Sequence, residues 1–495
     1  MTTWMLNAIA RAPAERIALR DTVRSLSYAD LLSAVRHEVI WQREFAGRRV
    51  AMLAENSADW VITDLALLSR GAVNVPLPAY FTPSQLLHAL DDGHIDAVLC
   101  DDPLRVQRLG SDWRVHSYSP ETGFALVVRD TKRARESIVQ SISKVTYTSG
   151  STAEPKGVCL SADAVSAVTR SLADALAGIE VERHLCLLPL PTLLENVAGV
   201  YVPLALGATC EVPSGAMTGM SYGELDVSRL LYTICKIQPQ SLILVPELLR
   251  VLVGAVDRGW TPPTSLKFIA VGGAPVAAEL LDQAAQMRLP VFEGYGLSEC
   301  ASVVCLNTPN ANRCGSVGKP LPHAQVSVDS RGQLLVRGAL MNGYLGTPAL
   351  ERGHPIQTGD LGEIDADGFV YVRGRLKNMF ISSFGRNVCP EWIETELMRD
   401  VRIRHAVVFG EGRAHPIAVL NPTNTELADS ELERAVAIAN QRLPDYARIR
   451  EWIRAQQPFD ARSGALTANG RVRRECIGQQ YAHFLIPRHS VARAS

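Results

Sequence analysis

A short segment rich in hydroxyl residues and glycine, Tyr147 to Val158, carries side chains suited to binding a polyphosphate. It reads YTSGSTAEPKGV and has a single lysine, Lys156. A glycine-rich turn presents backbone N–H groups and hydroxyl donors together, and the lysine adds a point charge. The segment does not match the common nucleotide loop GxxxxGK[ST], because Pro155 precedes Lys156 and no serine or threonine follows it. We therefore expect a phosphate loop unlike that of kinases or ATPases.

A second segment, EGYGLSE from Glu293 to Glu299, combines an aromatic ring with a carboxylate. Tyr295 can stack on a nucleotide base, and Ser298 can donate a hydrogen bond to a phosphate oxygen. Glu299 can hold Mg²⁺, which prefers a carboxylate together with substrate phosphates. The segment thus predicts base recognition and metal binding within a few residues of chain.

Three shorter patterns predict further contacts to a nucleotide, one through the backbone and two through charged side chains. The run GGAP, Gly272 to Pro275, has small residues that allow a flat ring to approach the backbone. Asp360 lies in TGDLGEID and can accept both hydroxyls of a ribose. Arg375 follows in GRLK and supplies a cation for the ribose or a phosphate. Each pattern alone is weak evidence for a nucleotide site, because GGAP also occurs in ordinary tight turns and TGD in ordinary Asx-turns.

The elements that must position these residues alternate between strand and helix. Strand-like runs at 50–54, 72–75 and 97–100 are separated by helical patterns at 58–70 and 83–90. The alternation returns at 242–287. It predicts an α/β fold of parallel sheets covered by helices, in which ligands bind beyond the carboxyl ends of strands. We expect GGAP and the segment from Tyr295 to Glu299 to follow strands in this way.

The pattern of predicted secondary structure changes after about residue 312. Short strands with Gly and Asp-Gly turns predict a β-rich subdomain, and the last stretch predicts a small α+β unit. We expect an N-terminal domain over 1–375 and a mobile C-terminal domain over 376–495.

The composition excludes several classes of function. The 495 residues contain 50 Lys and Arg against 51 Asp and Glu, so charge gives no argument for nucleic acid as a partner. The ten cysteines form no CxxC pair and no cluster at zinc spacing, which indicates free thiols in a reducing compartment. The N-terminus has no basic start followed by an apolar core and a cleavage site, so we expect no export signal. Prolines interrupt the apolar run at 185–208, so we expect no transmembrane segment. We expect a cytoplasmic protein.

Together these segments resemble, in order, the motifs of the acyl-adenylate-forming enzymes: acyl-CoA synthetases, adenylation domains of peptide synthetases and luciferases. The pattern is most similar to fatty acyl-CoA ligases. The resemblance implies three catalytic residues, with Glu299 also binding the metal: Lys156, Glu299 and Arg471. It implies nucleotide contacts by Thr148, Ser149, Gly150, Ser151, Thr152, Gly273, Ala274, Pro275, Glu293, Tyr295, Gly296, Ser298, Asp360 and Arg375. It also implies a hinge at Lys377 and a thiol channel at Gly385.

The chain departs from the family's pattern in places that bear on chemistry. The family's final lysine is replaced by Arg471 in LTANGRVRR, and a loop glycine by Ala153. In LPLPTLLEN, Thr192 stands where long-chain enzymes often have histidine, and Leu194 where amino-acid-activating relatives have Asp. The resemblance implies an acyl pocket formed by Thr192, Glu195, Asn196, Val200, Gly272 and Leu297.

The resemblance implies a ligase that uses ATP and Mg²⁺ to convert a carboxylic acid to acyl-AMP, releasing pyrophosphate. The acyl group then passes to the phosphopantetheine thiol of CoA. The acid is expected to be fatty acyl, with an aryl acid also open. Two alternatives remain: an acyl-carrier-protein ligase with its carrier in trans, and an adenylate-binding protein with weak catalysis, which the Arg471 and Ala153 replacements motivate.

Overall fold

The computed structural model describes residues 2–129, 142–148, 155–221, 224–351, 353–383, 386–460, 463–467 and 470–485. Two mixed β-sheets form its larger part, with parallel strands toward the middle and antiparallel strands at the edges. Within these ranges, none of the helices has the length and apolar character needed to cross a membrane.

Within each of the two large sheets, the central strands are parallel, so their carboxyl ends lie at the same edge of that sheet. One sheet contains, in spatial order, Lys319–Pro320, Ser302–Leu306, Val291–Leu297, Phe268–Val271, Ser241–Leu244, Arg183–Leu185, Thr209–Glu211, Ile17–Arg20 and Ser25–Ser27. The other contains, in spatial order, Gly343–Tyr344, Lys156–Ser161, Ile142–Thr148, Val73–Pro76, Arg49–Leu53, Ala97–Cys100, Ala125–Arg129 and Trp113–Tyr118. In the first sheet the strands ending at Leu244 and Val271 are parallel neighbours, so the segments that follow them meet at one edge.

Helices cover both sheets. Ala58–Arg70 illustrates why they form where they do: the Ser57 hydroxyl caps the Trp60 amide at 3.1 Å, and Gly71 ends the helix in a left-handed conformation with φ of 69°. The other α-helices of this part are Thr2–Ile9, Tyr28–Trp41, Pro83–Asp92, Pro103–Gln107, Ala162–Leu176, Val202–Ala205, Gly215–Thr218, Val227–Ile237, Pro246–Asp257 and Ala278–Gln286. Shorter helical turns are Arg43–Phe45, Ala177–Ile179 and Ser298–Cys300, and a π-helical segment spans Glu195–Tyr201.

An antiparallel sheet follows the two large sheets along the chain. Its strands are Ala324–Val328, Gln333–Gly338, Ile356–Ile364 and Val370–Arg375. Asp360 and Arg375 are direct cross-strand partners in this sheet, which brings their side chains together.

The last part of the chain has hydrophobic clusters of its own, formed by residues between Phe380 and Leu485. Its main sheet has the strands Ile403–Phe409, Ile417–Pro422 and Glu451–Arg454. Its helical segments are Pro390–Met398, Asp429–Arg442, Arg474–Gln480 and Ala482–Leu485, with short turns at Leu376–Asn378 and Asp445–Ala447. The small paired strands Met220–Ser221 with Glu224–Leu225, and Phe380–Ile381 with Asn387–Val388, complete the described elements.

The structure confirms the predicted α/β fold, with a large sheet-and-helix part, a β-rich subdomain and a smaller C-terminal part. One predicted boundary is wrong: Tyr295 lies within the strand Val291–Leu297 and does not follow it. The strand is longer than expected because it continues into an antiparallel pairing with Ser302–Leu306.

Candidate active site

A cleft of about 3160 Å³ lies at the edge where the central strands of the first sheet end. It is larger than a typical small-molecule pocket of roughly 300–1,000 Å³, because it continues to side chains of the C-terminal part. The predicted site residues that line it are Thr148, Lys156, Thr192, Gly272, Gly273, Ala274, Pro275, Glu293, Tyr295, Gly296, Leu297, Ser298, Glu299, Asp360, Arg375, Lys377 and Arg471. The predicted residues Ser149, Gly150, Ser151, Thr152 and Gly385 lie outside the described residues.

Asp360 is held in a fixed position on one side of the cleft. Its carboxylate accepts a hydrogen bond from the Tyr295 hydroxyl at 2.6 Å and forms an ion pair with Arg375 at 2.7 Å. The Thr358 hydroxyl accepts a hydrogen bond from the Asp360 amide at 3.0 Å. Burial raises the pKa of Asp360, and the Arg375 charge and the Tyr295 hydroxyl oppose that rise. The group presents an oriented carboxylate at the cleft wall.

Lys156 and Glu299 are brought near each other by a residue that the sequence analysis did not identify, Tyr344. The Tyr344 hydroxyl donates to Glu299 Oε1 at 2.9 Å, and Lys156 Nζ lies 5.6 Å from the centre of the Tyr344 ring. Tyr344 reaches this position because its short strand pairs with the strand that begins at Lys156. A cation and a carboxylate around one aromatic side chain suit a metal–phosphate complex. No short-range motif links residues 156, 299 and 344, so this contact was not evident from spacing.

Backbone geometry explains two of the glycines in the predicted motifs. Gly273 has φ of 86°, a conformation that favours glycine. At Gly296 a side-chain Cβ would lie 1.9 Å from the Ser302 carbonyl oxygen, so no larger residue fits. Gly296 therefore lets the Tyr295 strand pack closely against the strand Ser302–Leu306, while the turn at Gly273 lines the cleft.

Glu293 is a nearly buried carboxyl group at the cleft. Loss of solvent raises its pKa to about 8. The neutral form is therefore well populated near neutral pH, in which the side chain can donate as well as accept a hydrogen bond.

Arg471 extends from a turn of the C-terminal part into the same cleft. The turn is closed by the Arg471 amide donating to Thr467 Oγ1 at 3.0 Å and by the Thr467 amide donating to the Arg471 carbonyl at 2.7 Å. Nη2 of Arg471 comes within 3.9 Å of the position that a Cβ on Gly273 would occupy. The C-terminal turn therefore contacts the GGAP turn of the large part.

The electrostatic surroundings of Arg471 mix both signs of charge. The side chain remains accessible to water within the open cleft, yet protein atoms surround it densely, and this desolvation lowers its pKa. The nearby Arg375 lowers the pKa further, whereas Asp360 and Glu299 raise it. A guanidinium between these groups can bridge two anions that approach along the cleft.

Ion pairs join the C-terminal part to the large part in this arrangement. Arg404 donates to Glu247 Oε1 from Nε at 3.1 Å and from Nη2 at 2.9 Å. Arg399 forms an ion pair with Glu279. These contacts hold the C-terminal part in the orientation that inserts Arg471 into the cleft.

The predicted acyl-pocket residues divide into two groups. Thr192, Gly272 and Leu297 line the cleft, together with Leu193, Leu194, Ala198 and Val202. Glu195, Asn196 and Val200 do not line it, so the structure does not bring these three predicted residues to the cleft. The reason is the orientation of the π-helical segment, which turns these three side chains into the interior.

The interior side of that segment carries a polar network. Asn196 donates to Asp64 Oδ2 at 2.9 Å and accepts a hydrogen bond from the buried Lys144. Lys144 also pairs with Asp64 Oδ1 at 2.9 Å, and the Tyr201 hydroxyl donates to Asp64 Oδ2 at 2.5 Å. Burial lowers the pKa of Lys144, and the Asp64 charge opposes that shift. Lys144 lies on the strand that leads into the predicted phosphate loop, so the network connects that strand to the cleft wall.

Two family models together match most of the chain. Residues 6–345 match the family model for AMP-binding enzymes, and residues 377–485 match the model for the AMP-binding enzyme C-terminal domain.

Curated relatives cover nearly the whole chain. A 2-succinylbenzoate–CoA ligase of Enterococcus faecalis is 24% identical over 95% of this chain and 96% of its own length. A long-chain-fatty-acid–CoA ligase of Mycobacterium bovis is 24% identical over 88% of this chain and 87% of its own length.

Solved structures share the fold. The o-succinylbenzoate CoA synthetase of Bacillus subtilis, in complex with its acyl-adenylate intermediate, superposes with a TM-score of 0.74 at 22% identity, covering 95% of this chain and 97% of that one. The anthranilate CoA ligase AuaEII, in complex with anthranoyl-AMP, superposes with a TM-score of 0.79 at 18% identity, covering 96% of both chains.

Proposed function

Because the chain belongs to the family of AMP-binding enzymes, we propose that its cleft joins an apolar carboxylic acid to AMP and then to a thiol. In the first step a carboxylate oxygen of the acid attacks the α-phosphorus of ATP, and pyrophosphate leaves. In the second step the thiol of CoA attacks the acyl carbon, and AMP leaves. The chain is thus an AMP-forming acid–CoA ligase.

The observation that carries this proposal is the convergence of four charged side chains on one cleft. Lys156 and Glu299 lie together around Tyr344, and Arg471 lies within the electrostatic reach of Glu299 and Asp360. A reaction between two anions needs such charge compensation and alignment at the reacting centre.

The residues around Glu299 fit a bound Mg²⁺ ion. Glu299 Oε1 accepts the Tyr344 hydroxyl, and the carboxylate faces the cleft, where phosphate oxygens would complete a hard oxygen ligand set. When bound, Mg²⁺ would neutralise negative charge on the triphosphate. Tyr344 orients the carboxylate through its hydroxyl, and Lys156 Nζ lies 5.6 Å from the centre of the same tyrosine ring.

The acid is proposed to be apolar at the end away from its carboxylate. The residues that line the cleft include Gly272 and Leu297 and the aliphatic side chains of Leu194, Ala198 and Val202. Leu194 offers no charge for the ammonium group of an amino acid. Fatty acids and aryl acids both have an apolar part that can pack against these aliphatic side chains.

An ATP-dependent hydroxamate screen across fatty, aryl and amino acids tests the proposal. We expect hydroxamate from at least one fatty or aryl acid and none above background from amino acids. Pyrophosphate exchange without turnover to a CoA thioester would instead favour a carrier protein as the acceptor. A complete lack of exchange with every apolar acid would favour the adenylate-binding alternative and contradict the proposed ligase.

We propose that Asp360 accepts the ribose hydroxyls of ATP. Asp360→Ala is then expected to raise the KM for ATP by about tenfold or more, because the variant lacks the carboxylate that accepts hydrogen bonds from the two ribose hydroxyls. The loss should shrink when 2′,3′-dideoxy ATP replaces ATP, because that nucleotide lacks both hydroxyls. The steady-state KM for the two nucleotides in wild type and variant gives the measurement. An equal loss with both would assign Asp360 to support of Tyr295 and Arg375 only.

Tyr344→Phe is expected to raise the Mg²⁺ concentration needed for half-maximal exchange by about three- to tenfold, because one hydrogen bond to Glu299 is removed. The ring facing Lys156 remains, so exchange at saturating Mg²⁺ should change little. A Mg²⁺ titration of pyrophosphate exchange makes the measurement. Tyr118→Phe, at an exposed tyrosine, is the matched control. An unchanged Mg²⁺ requirement in Tyr344→Phe would contradict the positioning role.

We propose that the boundary between an N-terminal domain, 1–375, and a mobile C-terminal domain, 376–495, acts as a hinge at Lys377. Lys377 lies in the short turn Leu376–Asn378, directly after the strand that carries Arg375. Lys377→Pro fixes φ at this residue and is expected to reduce thioester formation at least tenfold while leaving pyrophosphate exchange within about twofold. Single-turnover assays of each half-reaction measure this split. Normal thioester formation in the variant would locate the hinge elsewhere.

A further inference from the structure

A buried group of three potential metal-ligating side chains lies at the wall of the cleft, and His184 is among the residues that line the cleft. Among the residues that the structure describes, His184, Cys186 and Glu195 are the one such group whose ligand atoms all lie within 4.8 Å of one another. His184 lies on the strand Arg183–Leu185, Cys186 directly follows it, and Glu195 begins the π-helical segment. None of the proposed steps of the reaction uses these side chains.

Three polar atoms of this group make no hydrogen bond of good geometry. Nε2 of His184 and both carboxylate oxygens of Glu195 are buried and unpaired among the described residues. Glu195 is fully buried, and His184 is only 2% exposed. Leaving buried groups without a hydrogen bond of good geometry costs free energy, and a metal ion bound between them would satisfy all three atoms.

The outer contacts of His184 resemble those of a metal-bound histidine. Nδ1 of His184 is 2.8 Å from the Ser241 hydroxyl oxygen, which leaves Nε2 as the free ring nitrogen. Metal-ligating histidines commonly use their second ring nitrogen in such a hydrogen bond, which fixes the ring and its tautomer. Nε2 faces Glu195 Oε1 at 3.5 Å. Ligands held at 2.0–2.3 Å around a tetrahedral ion lie roughly 3.3–3.7 Å apart, so this pair already has the required spacing.

The backbone around the group is adapted to close approach. A Cβ at Gly199 would lie 2.6 Å from Glu195 Oε1 and 3.0 Å from His184 Nε2, so only glycine leaves this space open. π-Helical turns are rare and occur frequently at functional sites, and this one brings Glu195 and Gly199 to the same point.

We propose that His184, Cys186 and Glu195 bind a divalent transition-metal ion, with zinc the best match to one nitrogen, one sulfur and one oxygen donor. A zinc ion with one thiolate and one carboxylate has no net charge, which suits a fully buried position. Binding replaces the thiol proton of Cys186, which otherwise donates to the Gly199 carbonyl oxygen at 3.4 Å. The proton leaves to solvent. The ion would connect the strand at His184 to the segment carrying the aliphatic wall of the cleft.

The test uses the untagged full-length protein purified from zinc-supplemented cells, with metal content measured by mass spectrometry after dialysis. We expect about one zinc per wild-type chain and at least tenfold less in His184→Ala, Cys186→Ser and Glu195→Gln. Cys210→Ser is the matched control, because Cys210 is buried nearby and outside the group. It should retain the metal. Ser241→Ala should keep all three ligands and weaken zinc affinity about 10–100-fold.

Two measurements on the wild type keep the proposal falsifiable where a ligand variant fails to fold. Replacement with Co²⁺ should give a thiolate-to-metal charge-transfer absorption, and removal of zinc with a chelator should lower Tm. Wild-type protein with less than a tenth of an equivalent of zinc, no cobalt absorption and no change in Tm would overturn the proposal. So would zinc that persists in all three ligand variants. These readouts do not depend on ligase activity.

Discussion

Glu299→Gln is expected to reduce acid-dependent pyrophosphate exchange by about 10²–10³-fold, the usual loss when one electrostatic contact to a reacting group is removed. The substitution keeps the shape of the side chain and its contact with Tyr344, and removes the negative charge proposed to hold the metal–triphosphate unit. The effect should fall mainly on kcat and on the Mg²⁺ requirement. Initial rates of exchange across a Mg²⁺ titration measure both.

Two comparisons show whether that loss is specific. Glu426→Gln, at an exposed glutamate of the C-terminal part, should leave exchange unchanged. Lys156→Ala should cause a loss of similar size, whereas Lys236→Ala, at an exposed lysine of a surface helix, should not. Near-normal exchange in both Glu299→Gln and Lys156→Ala would remove the basis for the proposed phosphate and metal site.

Much of the site could be predicted because its residues follow the topology of the sheet. Strand–helix alternation predicts parallel strands, and parallel neighbours deliver the residues after their ends to one edge. GGAP and the Tyr295 segment therefore meet at the cleft although other elements separate them in sequence. The pairing of Asp360 with Arg375 was also within reach, because a turn signal between two short strands predicts an antiparallel hairpin.

The contacts that the sequence did not predict depend on the rotation of one segment and on distant strand pairing. The family resemblance implied that Glu195, Asn196 and Val200 belong to an acyl pocket together with Thr192. The π-helical turn changes the angular spacing of side chains relative to an α-helix. As a result these three side chains face the core and do not reach the cleft. Tyr344 reaches Glu299 only because its strand pairs with the one at Lys156, a contact between residues far apart in the chain. The group of His184, Cys186 and Glu195 escaped detection because its spacing follows no zinc motif.

The replacement of the family's lysine by Arg471 leads to the prediction with the most direct bearing on catalysis. The guanidinium lies in the cleft, beside Gly273 and within reach of the Asp360 and Glu299 charges, which is the position that the proposed first half-reaction requires. Arg471→Ala is expected to lower pyrophosphate exchange by about 10²–10³-fold. Thioester formation from preformed acyl-AMP should stay within about twofold, because the proposed domain rotation removes this turn before the second step. Arg434→Ala, at an exposed arginine of the helix Asp429–Arg442, is the matched control.

Arg471→Lys separates two explanations of the replacement. If the cleft only needs a positive charge at this point, lysine should retain the exchange rate or raise it, since an ammonium is compact and the family's pattern has lysine here. If the forked guanidinium bridges the acid and the α-phosphate through two hydrogen bonds, lysine should lose about tenfold, because a point charge cannot make both. A silent Arg471→Ala in an active wild type would contradict both explanations and assign the charge compensation to another cation. An inactive wild type that Arg471→Lys activates would instead support the adenylate-binding alternative, because a single side chain would then separate binding from turnover.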